Sequence, residues 1–229
     1  MSNTPILMTL AVLGGTGKEG KGLAYRLAKA GYRVLIGSRV QEKAQAVAVE
    51  LTDLLSGEAA IEGTTNLAAA QRADIVALAV PYAAHRKTLE LVKDALKGKI
   101  LIDVTVPLVP PKVTRVQMPL AGSAAQEARE ILGKEVQVTS AFQNISYEHL
   151  LNDGPVQCDV LVTGTSKEAR SETLKLVAAA GLTGWDAGPI ENSVVVEGLT
   201  SVLIGINKQY GSTSAGIRII GVQKPAQEP

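Results

Sequence analysis

Few residues in this chain have types and spacing suited to chemistry, and the clearest set is built from glycine. Gly15-Thr16-Gly17-Lys18-Glu19-Gly20 has the spacing G-x-G-x-x-G. It follows the apolar run Thr9-Leu10-Ala11-Val12-Leu13 and precedes a helical pattern, Leu23 to Ala30, that stops at Gly31. Strand, tight turn and helix in that order offer a phosphate a row of backbone N–H groups and the positive end of a helix dipole. The first glycine permits the turn, the second lets a pyrophosphate reach the backbone, and the third lets helix and strand pack closely. The triplet alone is weak in a chain with 22 glycines. The flanking strand and helix are the context that makes it a dinucleotide site.

The second apolar run, Arg33-Val34-Leu35-Ile36-Gly37, selects the dinucleotide. It ends in Ser38-Arg39, with Lys43 one helical turn on. An NAD site carries Asp or Glu at this strand end, bonded to the ribose hydroxyls. A carboxylate there would repel a 2′-phosphate. A hydroxyl, a guanidinium fork and an ammonium would hold one. Ser38, Arg39 and Lys43 together therefore predict NADP.

Groups for acid–base or nucleophilic work are scarce. The histidines are His85 and His149. His85 opens a helix after a strand end and reads as a solvated helix-start residue, with the cleft as the alternative. His149, within Tyr147-Glu148-His149, reads as exposed. Asp103, at a strand end, suits loop bracing as well as function. Cys158 is the single cysteine and has no helix start or cationic neighbour to lower its pKa. No His, Cys, Asp and Glu set has metal-ligand spacing. The expectation is no catalytic side chain and no metal. An oxidoreductase needs neither when hydride passes directly between two cofactor rings, because the protein then supplies position and electrostatics.

The elements that must position these residues alternate. Helical patterns cover Gln41 to Leu55, Asn66 to Arg72, Ala84 to Leu96 and Ser123 to Leu132. Between them lie Ala59 to Gly63, the almost unbroken apolar run Asp74 to Val80, Lys99 to Val104, and Val136 to Phe142. Apolar runs of that kind are strands covered on both faces, and their alternation with helices predicts a doubly wound parallel α/β sheet. Ligands in such sheets sit at the carboxyl ends of the strands. The stretch from Thr105 to Gly122 carries four prolines and reads as a loop that shapes a surface. A boundary near residue 150 separates a nucleotide-binding domain, 1–150, from a small C-terminal α/β domain, 151–229. In the latter, Val160 to Gly164 reads as a strand and Ser166 to Ala180 as a helix. The most apolar helix runs from Pro189 or Ile190 to Tyr210. It is apolar nearly all round, so it must be buried on more than one side, by the first domain, a second copy, or both. Its stripe of Gly198, Ser201 and Gly205 would admit a backbone or a flat ring.

Composition narrows the partners. Apolar residues make up 46% and aromatics 3%, so the core is aliphatic; the net charge of +1 gives no polyanion-binding signature. One cysteine, no secretory signal in Met1 to Pro5 and no membrane-length apolar run point to the cytoplasm. The only low-complexity segment is the tail Gln223 to Pro229.

The chain resembles the NADPH-dependent coenzyme F420 reductases. The resemblance starts at Leu13-Gly14-Gly15-Thr16-Gly17 with Gly20 and at Gly37-Ser38-Arg39. It continues through Val138-Thr139-Ser140-Ala141-Phe142-Gln143-Asn144-Ile145-Ser146, Cys158 to Val162 and Asp186-Ala187-Gly188-Pro189. It ends with Glu197-Gly198-Leu199-Thr200, Asn207 to Tyr210 and Ala215 to Ile219. The C-terminal strings are the more specific ones. The resemblance implies a Rossmann-type fold, a homodimer, and reversible hydride transfer between NADP(H) and the 8-hydroxy-5-deazaflavin coenzyme F420. It implies that Gly15, Thr16, Gly17, Lys18 and Glu19 form the pyrophosphate turn. Ser38, Arg39 and Lys43 would clamp the 2′-phosphate, and Val80 and Pro81 would flank the nicotinamide. The segment from Phe142 to Ser146 would lie against the deazaflavin, with Ile145 near the rings. Where some members have histidine, this chain has Gln143, which can hydrogen-bond to the ring but cannot titrate. Two alternatives stay open: an NADPH-dependent flavin or ferric reductase, and a non-catalytic NADP-sensing module.

Overall fold

The computed structural model describes residues 8–57 and 59–222. The start read as lacking a signal and the tail from residue 223 lie outside them. One eight-stranded sheet organises the chain, in the order β3-β2-β1-β4-β5-β6-β7-β8. Its strands are β1 (Thr9–Leu13), β2 (Arg33–Ser38), β3 (Ile61–Thr65), β4 (Ile75–Leu78), β5 (Ile100–Asp103), β6 (Gln137–Ser140), β7 (Asp159–Gly164) and β8 (Thr183–Pro189). The helices are α1 (Lys18–Lys29), α2 (Gln41–Leu54), α3 (Asn66–Arg72), α4 (Tyr82–Val92), α5 (Ala124–Leu132), α6 (Tyr147–Leu150), α7 (Lys167–Ala179) and α8 (Ser193–Tyr210).

The first six strands are parallel. The strands alternate their side chains between two cores, as the period of two requires. Leu10 and Val12 of β1 join Leu23, Leu27 and Leu51 on the face covered by α1 and α2. Ala11 and Leu13 join Ala69, Leu89 and Ala128 on the face covered by α3, α4 and α5. The doubly wound Rossmann-type sheet read from the sequence is therefore present. β7 then pairs antiparallel with β6, through Thr139 with Gly164 and Ser140 with Thr163, and β8 runs parallel to β7. The C-terminal residues thus extend the same sheet.

The sheet's direction of crossing reverses between β1 and β4, and that is where a parallel sheet opens a crevice. The glycine turn enters it. Gly14 has φ of +75°, and a Cβ there would lie 2.5 Å from the Ala79 carbonyl oxygen, so only glycine fits at the end of β4. At Gly20 a Cβ would lie 2.7 Å from the Gly14 oxygen and 2.8 Å from the Gly15 Cα, both backbone atoms. α1 therefore sits on the turn as closely as a chain can.

Two readings differ from the structure. Leu182 to Asp186 was given no element but is an edge strand, β8; with glycines at 184 and 188 it lacks a strand pattern, and pairing with β7 makes it one. The short helix α6 lay in a stretch read only as exposed. It is held from outside: Arg26 is buried in α1 and donates from Nε to the Leu150 carbonyl at 2.9 Å and from Nη2 to those of His149 (2.8 Å) and Asn152. A guanidinium thus satisfies the carbonyls that a four-residue helix leaves open. Within this one chain α8 leaves a face open, with Val195 69% and Tyr210 73% exposed.

The close seating of α1 predicts that Gly20→Ala costs about 1–3 kcal/mol through forced backbone displacement. The urea midpoint should fall accordingly.

Candidate functional site

At the end of β1 the chain turns under its own hydrogen bonds. Gly14 N–H donates to the Gly37 carbonyl at 3.0 Å, Gly15 N–H to the same oxygen at 3.1 Å, and Gly17 N–H to Gly14 at 3.0 Å. These bonds set the turn beside the end of β2, where Gly37 and Ser38 lie. Gly17 is the N-cap of α1 and has no side chain to cap it. The N–H groups of Lys18, Glu19 and Gly20 open the helix and have no intrahelical acceptor. Lys18 and Glu19 line the crevice, at the positive end of the helix.

A cavity of about 670 Å³ runs from this helix end along the carboxyl ends of β4, β5 and β6. Of the expected site residues, Gly17, Lys18, Glu19, Val80, Pro81, Gln143 and Ile145 line it together. Gly15 and Thr16 shape the turn without lining it. Ser38, Arg39 and Lys43 lie outside it, at the end of β2 and the first turn of α2. Ser38 is buried and its Oγ accepts from the Val40 N–H at 3.2 Å. Arg39 and Lys43 are exposed, and among the described residues neither has an ion pair or side-chain hydrogen bond. A pair of free cations at this strand end suits a phosphate outside the crevice.

The other end of the cavity is apolar with a polar wall. Val80, Pro81, Val106, Ile145, Leu203 and Ile204 supply flat hydrocarbon. The wall is set by Asp103, which ends β5 and is wholly buried. Its Oδ2 lies 2.7 Å from His85 Nε2, and its Oδ1 accepts from the Thr105 N–H at 3.0 Å. Its carbonyl accepts from Gln143 Nε2 at 2.6 Å, and the same nitrogen donates to Ser140 Oγ at 2.8 Å. Those acceptors decide the amide's orientation, because a carbonyl can pair only with the NH₂ end. Gln143 Oε1 is left buried without a partner, as are Asn144 Oδ1 and Thr105 Oγ1. All three residues line the cavity. Phe142, with φ of 72°, holds the strained turn that swings this segment in from β6.

His85 was expected to be solvated. It is completely buried instead, because α4 begins at Tyr82 and turns the ring inward onto Asp103. Burial alone would push the imidazole down; the adjacent Asp103 carboxylate outweighs it and holds the pKa above its ordinary value. Asp103 does brace a loop, as one reading of it had it, and it also holds His85.

Residues from α8 that carried no assigned role complete the wall. Thr200 Oγ donates to the Gln143 carbonyl at 2.7 Å, and Thr200 and Asn207 line the cavity with Leu203 and Ile204. α8 is fixed by Glu197, wholly buried, whose carboxylate accepts from the Ala124 N–H at 2.7 Å and the Ala125 N–H at 3.1 Å. Burial, with the nearby Asp103 charge second, pushes the Glu197 carboxyl up to about 8, against the pull of those N–H groups. The small-residue stripe of α8 meets the proline-rich loop: Val116 and Met118 side chains lie over Gly198. An acidic residue inside an otherwise apolar helix was the signal for Glu197. Nothing in the sequence pairs it with α5.

No cluster of His, Cys, Asp and Glu among the described residues could hold a metal ion, and no helix among them is long and apolar enough to cross a membrane.

Comparison with known proteins gives the site its context. Residues 9–107 match the family model described as NADP oxidoreductase, coenzyme F420-dependent. The chain is 41% identical to the F420-dependent NADP reductase of Methanocaldococcus jannaschii, over 94% of this chain and 100% of that one. The chain belongs to the F420-dependent NADP reductase family. The corresponding enzyme of Methanothermobacter marburgensis is also 41% identical, over 93% of this chain and 98% of that one. Among solved structures, a candidate F420-dependent NADP reductase from Arthrobacter sp. FB24 superposes with a TM-score of 0.77 at 25% identity, covering 93% of this chain and 99% of that one.

The Asp103 network predicts a pH-dependent stability. His85, with a raised folded pKa, contributes most below about pH 6.5, its unfolded value, and loses that contribution as pH rises through the folded value. Asp103→Asn should cost about 3–5 kcal/mol at the acid end, as when one partner of a buried pair is removed. It should also shrink the fall in denaturation midpoint between acid and alkaline buffer. Chemical denaturation of both proteins across that range reads both effects.

Proposed function

We propose that this chain catalyses reversible hydride transfer between NADP(H) and the deazaflavin coenzyme F420, with both bound in the one cavity. Membership of the family supports an NADP-dependent oxidoreductase. The observation that carries the reading here is the cavity's two-ended character. One end has free helix N–H donors; the other has an apolar slot with three unpartnered buried polar atoms in its wall. Such a slot fits two stacked rings with polar edges, and the helix end fits a diphosphate.

The residues then have distinct tasks. The N–H groups of Lys18, Glu19 and Gly20 take the diphosphate, and Ser38, Arg39 and Lys43 take the 2′-phosphate. Val80, Pro81 and Ile145 hold the nicotinamide and deazaflavin rings face to face. Gln143 is an acceptor-only edge, because both its N–H bonds are committed to Asp103 and Ser140. Leu203 and Ile204 exclude water from the slot. The bound cofactors supply the hydride and its acceptor; the protein supplies proximity and a dry, oriented site, which is where the rate gain of such a reaction comes from. No side chain is given a catalytic proton transfer.

The exposed apolar stripe Val195, Val202, Ile206 and Tyr210 on α8 supports a homodimer in which a second copy covers this face. The helix that walls the cavity would then be buried on both sides. Introducing a charge by Val202→Asp should convert a dimeric sedimentation profile into a monomeric one; a monomeric parent protein would refute the dimer.

The function is tested by oxidation of NADPH by the purified protein with coenzyme F420, FMN and FAD side by side. Turnover with F420 is expected, and activity with FMN alone would overturn the assignment. Arg39→Glu should reverse or abolish the preference for NADPH over NADH, a loss of about 10–100-fold in kcat/KM for one charge-assisted phosphate contact. Unchanged preference would remove Arg39 from the clamp.

A further inference from the structure

Glu19 is an unexpected residue for a diphosphate site. It is the second residue of α1, lines the cavity, and sits among the N–H groups that would receive two negative phosphates. Its Oε1 accepts from the Tyr147 N–H at 3.1 Å, which ties the glycine turn to the start of α6. Its Oε2 is buried and has no partner. No cation neutralises it among the described residues. Lys18, the neighbour on α1, points its Nζ at the Tyr147 hydroxyl (3.2 Å) and lies over that ring at 4.7 Å. Lys21, a turn further along α1, is paired with Glu50 of α2. On α6, Tyr147 and Glu148 add no positive charge, and His149 has its Nε2 3.0 Å from the Ser214 carbonyl. An ionised carboxylate oxygen buried without a protein donor is costly, and a proton removes the charge. Burial, opposed by the Tyr147 N–H, pushes the Glu19 carboxyl up to about 7.

We propose that NADP(H) binding is linked to a proton on Glu19: the site holds the dinucleotide with this carboxyl neutral and takes up the proton from solvent when the free protein is ionised. The inference rests on the reading that the glycine turn holds the diphosphate. A diphosphate brings only acceptors and negative charge. Beside it an ionised Glu19 adds repulsion and a second acceptor, whereas the protonated acid is a donor. The dinucleotide therefore raises the Glu19 pKa above its free value. Linkage sets the sign. Below the free value Glu19 is already neutral, and it gives binding no pH dependence. Above it, affinity falls as pH rises, until the bound-state value is passed. The 2′-phosphate is a separate group. It titrates near pH 6, below this window, and clamping it in its dianionic form would release a proton rather than take one up. The two linkages therefore differ in sign and in range.

Isothermal titration of NADPH into the wild-type protein and Glu19→Gln decides the matter. It is run in HEPES and in Tris, which differ in ionisation enthalpy, from about pH 6.5 to about pH 8.5. The wild type should take up a fraction of a proton per site near neutrality, and its Kd should rise toward the single-proton limit of about tenfold per pH unit. Glu19→Gln should show no such uptake and a flatter Kd. Equal uptake and parallel pH profiles in the two proteins would overturn the linkage. If neither protein binds NADPH, or if Gly17→Val binds it as tightly as wild type, the diphosphate reading itself fails. Should Glu19→Gln not fold, the carboxyl carbon-13 resonance of Glu19 in the labelled wild type gives the same answer. Its titration midpoint should move alkaline on adding NADPH, and an unmoved midpoint sinks the idea.

Discussion

The buried carboxylate of Asp103 is the constraint on which the ring end of this protein depends. A fully buried charge is tolerated only with its lone pairs occupied. Occupying them recruits His85 from α4 and the N–H of Thr105 from the proline-rich loop, and the residue's carbonyl takes the amide of Gln143 from the segment after β6. Three chain segments far apart in sequence thus meet at one strand end. Their meeting determines where the cavity wall stands and which atoms are left to face a ligand. His85, which has a catalytic residue's chemistry, is used inside the wall.

α8 is held by a second buried carboxylate. Glu197 caps α5, which begins where the proline-rich loop ends, and Ser123 and Ser193 meet at 2.6 Å beside it. The helix can then present Thr200, Leu203 and Ile204 to the cavity while its stripe of small residues receives Val116 and Met118 of the loop. The loop is thereby clamped between strand end and helix. The two buried acids lie close enough that Asp103 helps to raise Glu197. This core therefore favours mildly acidic conditions: a proton on Glu197 removes a charge that burial penalises, and a proton on His85 sets a cation against the Asp103 carboxylate.

The opposite end of the cavity obeys a steric rule. Close approach of α1 to the end of β1 leaves no room for a Cβ at Gly20, and the chain's approach to β4 leaves none at Gly14. These contacts fix the free N–H groups relative to the apolar slot. The short helix α6 closes the distance from the other side, gripped by Arg26 and by Glu19. The helix end and the apolar slot are thus held at one separation by contacts within the protein itself.

Local patterns were enough to read much of this. Glycine spacing after an apolar run specified strand, turn and helix, because those φ values and close approaches admit little else. Alternation of buried runs with amphipathic helices specified the doubly wound sheet, and the limits of α3 from Asn66 to Arg72 match the structure. The place of Ser38, Arg39 and Lys43, at the end of β2 and the start of α2, was legible because residue order along a strand and the helix after it is a one-dimensional signal. The rest depended on tertiary structure. β8 has no strand pattern of its own and exists by pairing with β7. His85 looked exposed because helix phase decides which way a helix-start residue faces, and phase is set by packing. The acceptor character of Gln143, the capping role of Glu197 and, among the described residues, the lack of a cation paired with Glu19 are all relations between distant segments. The sequence by itself determined which groups the chain could offer to a phosphate and which elements would carry them. Only the tertiary structure decided which of those groups were left unpaired, because pairing in a buried site is a property of what the fold brings alongside.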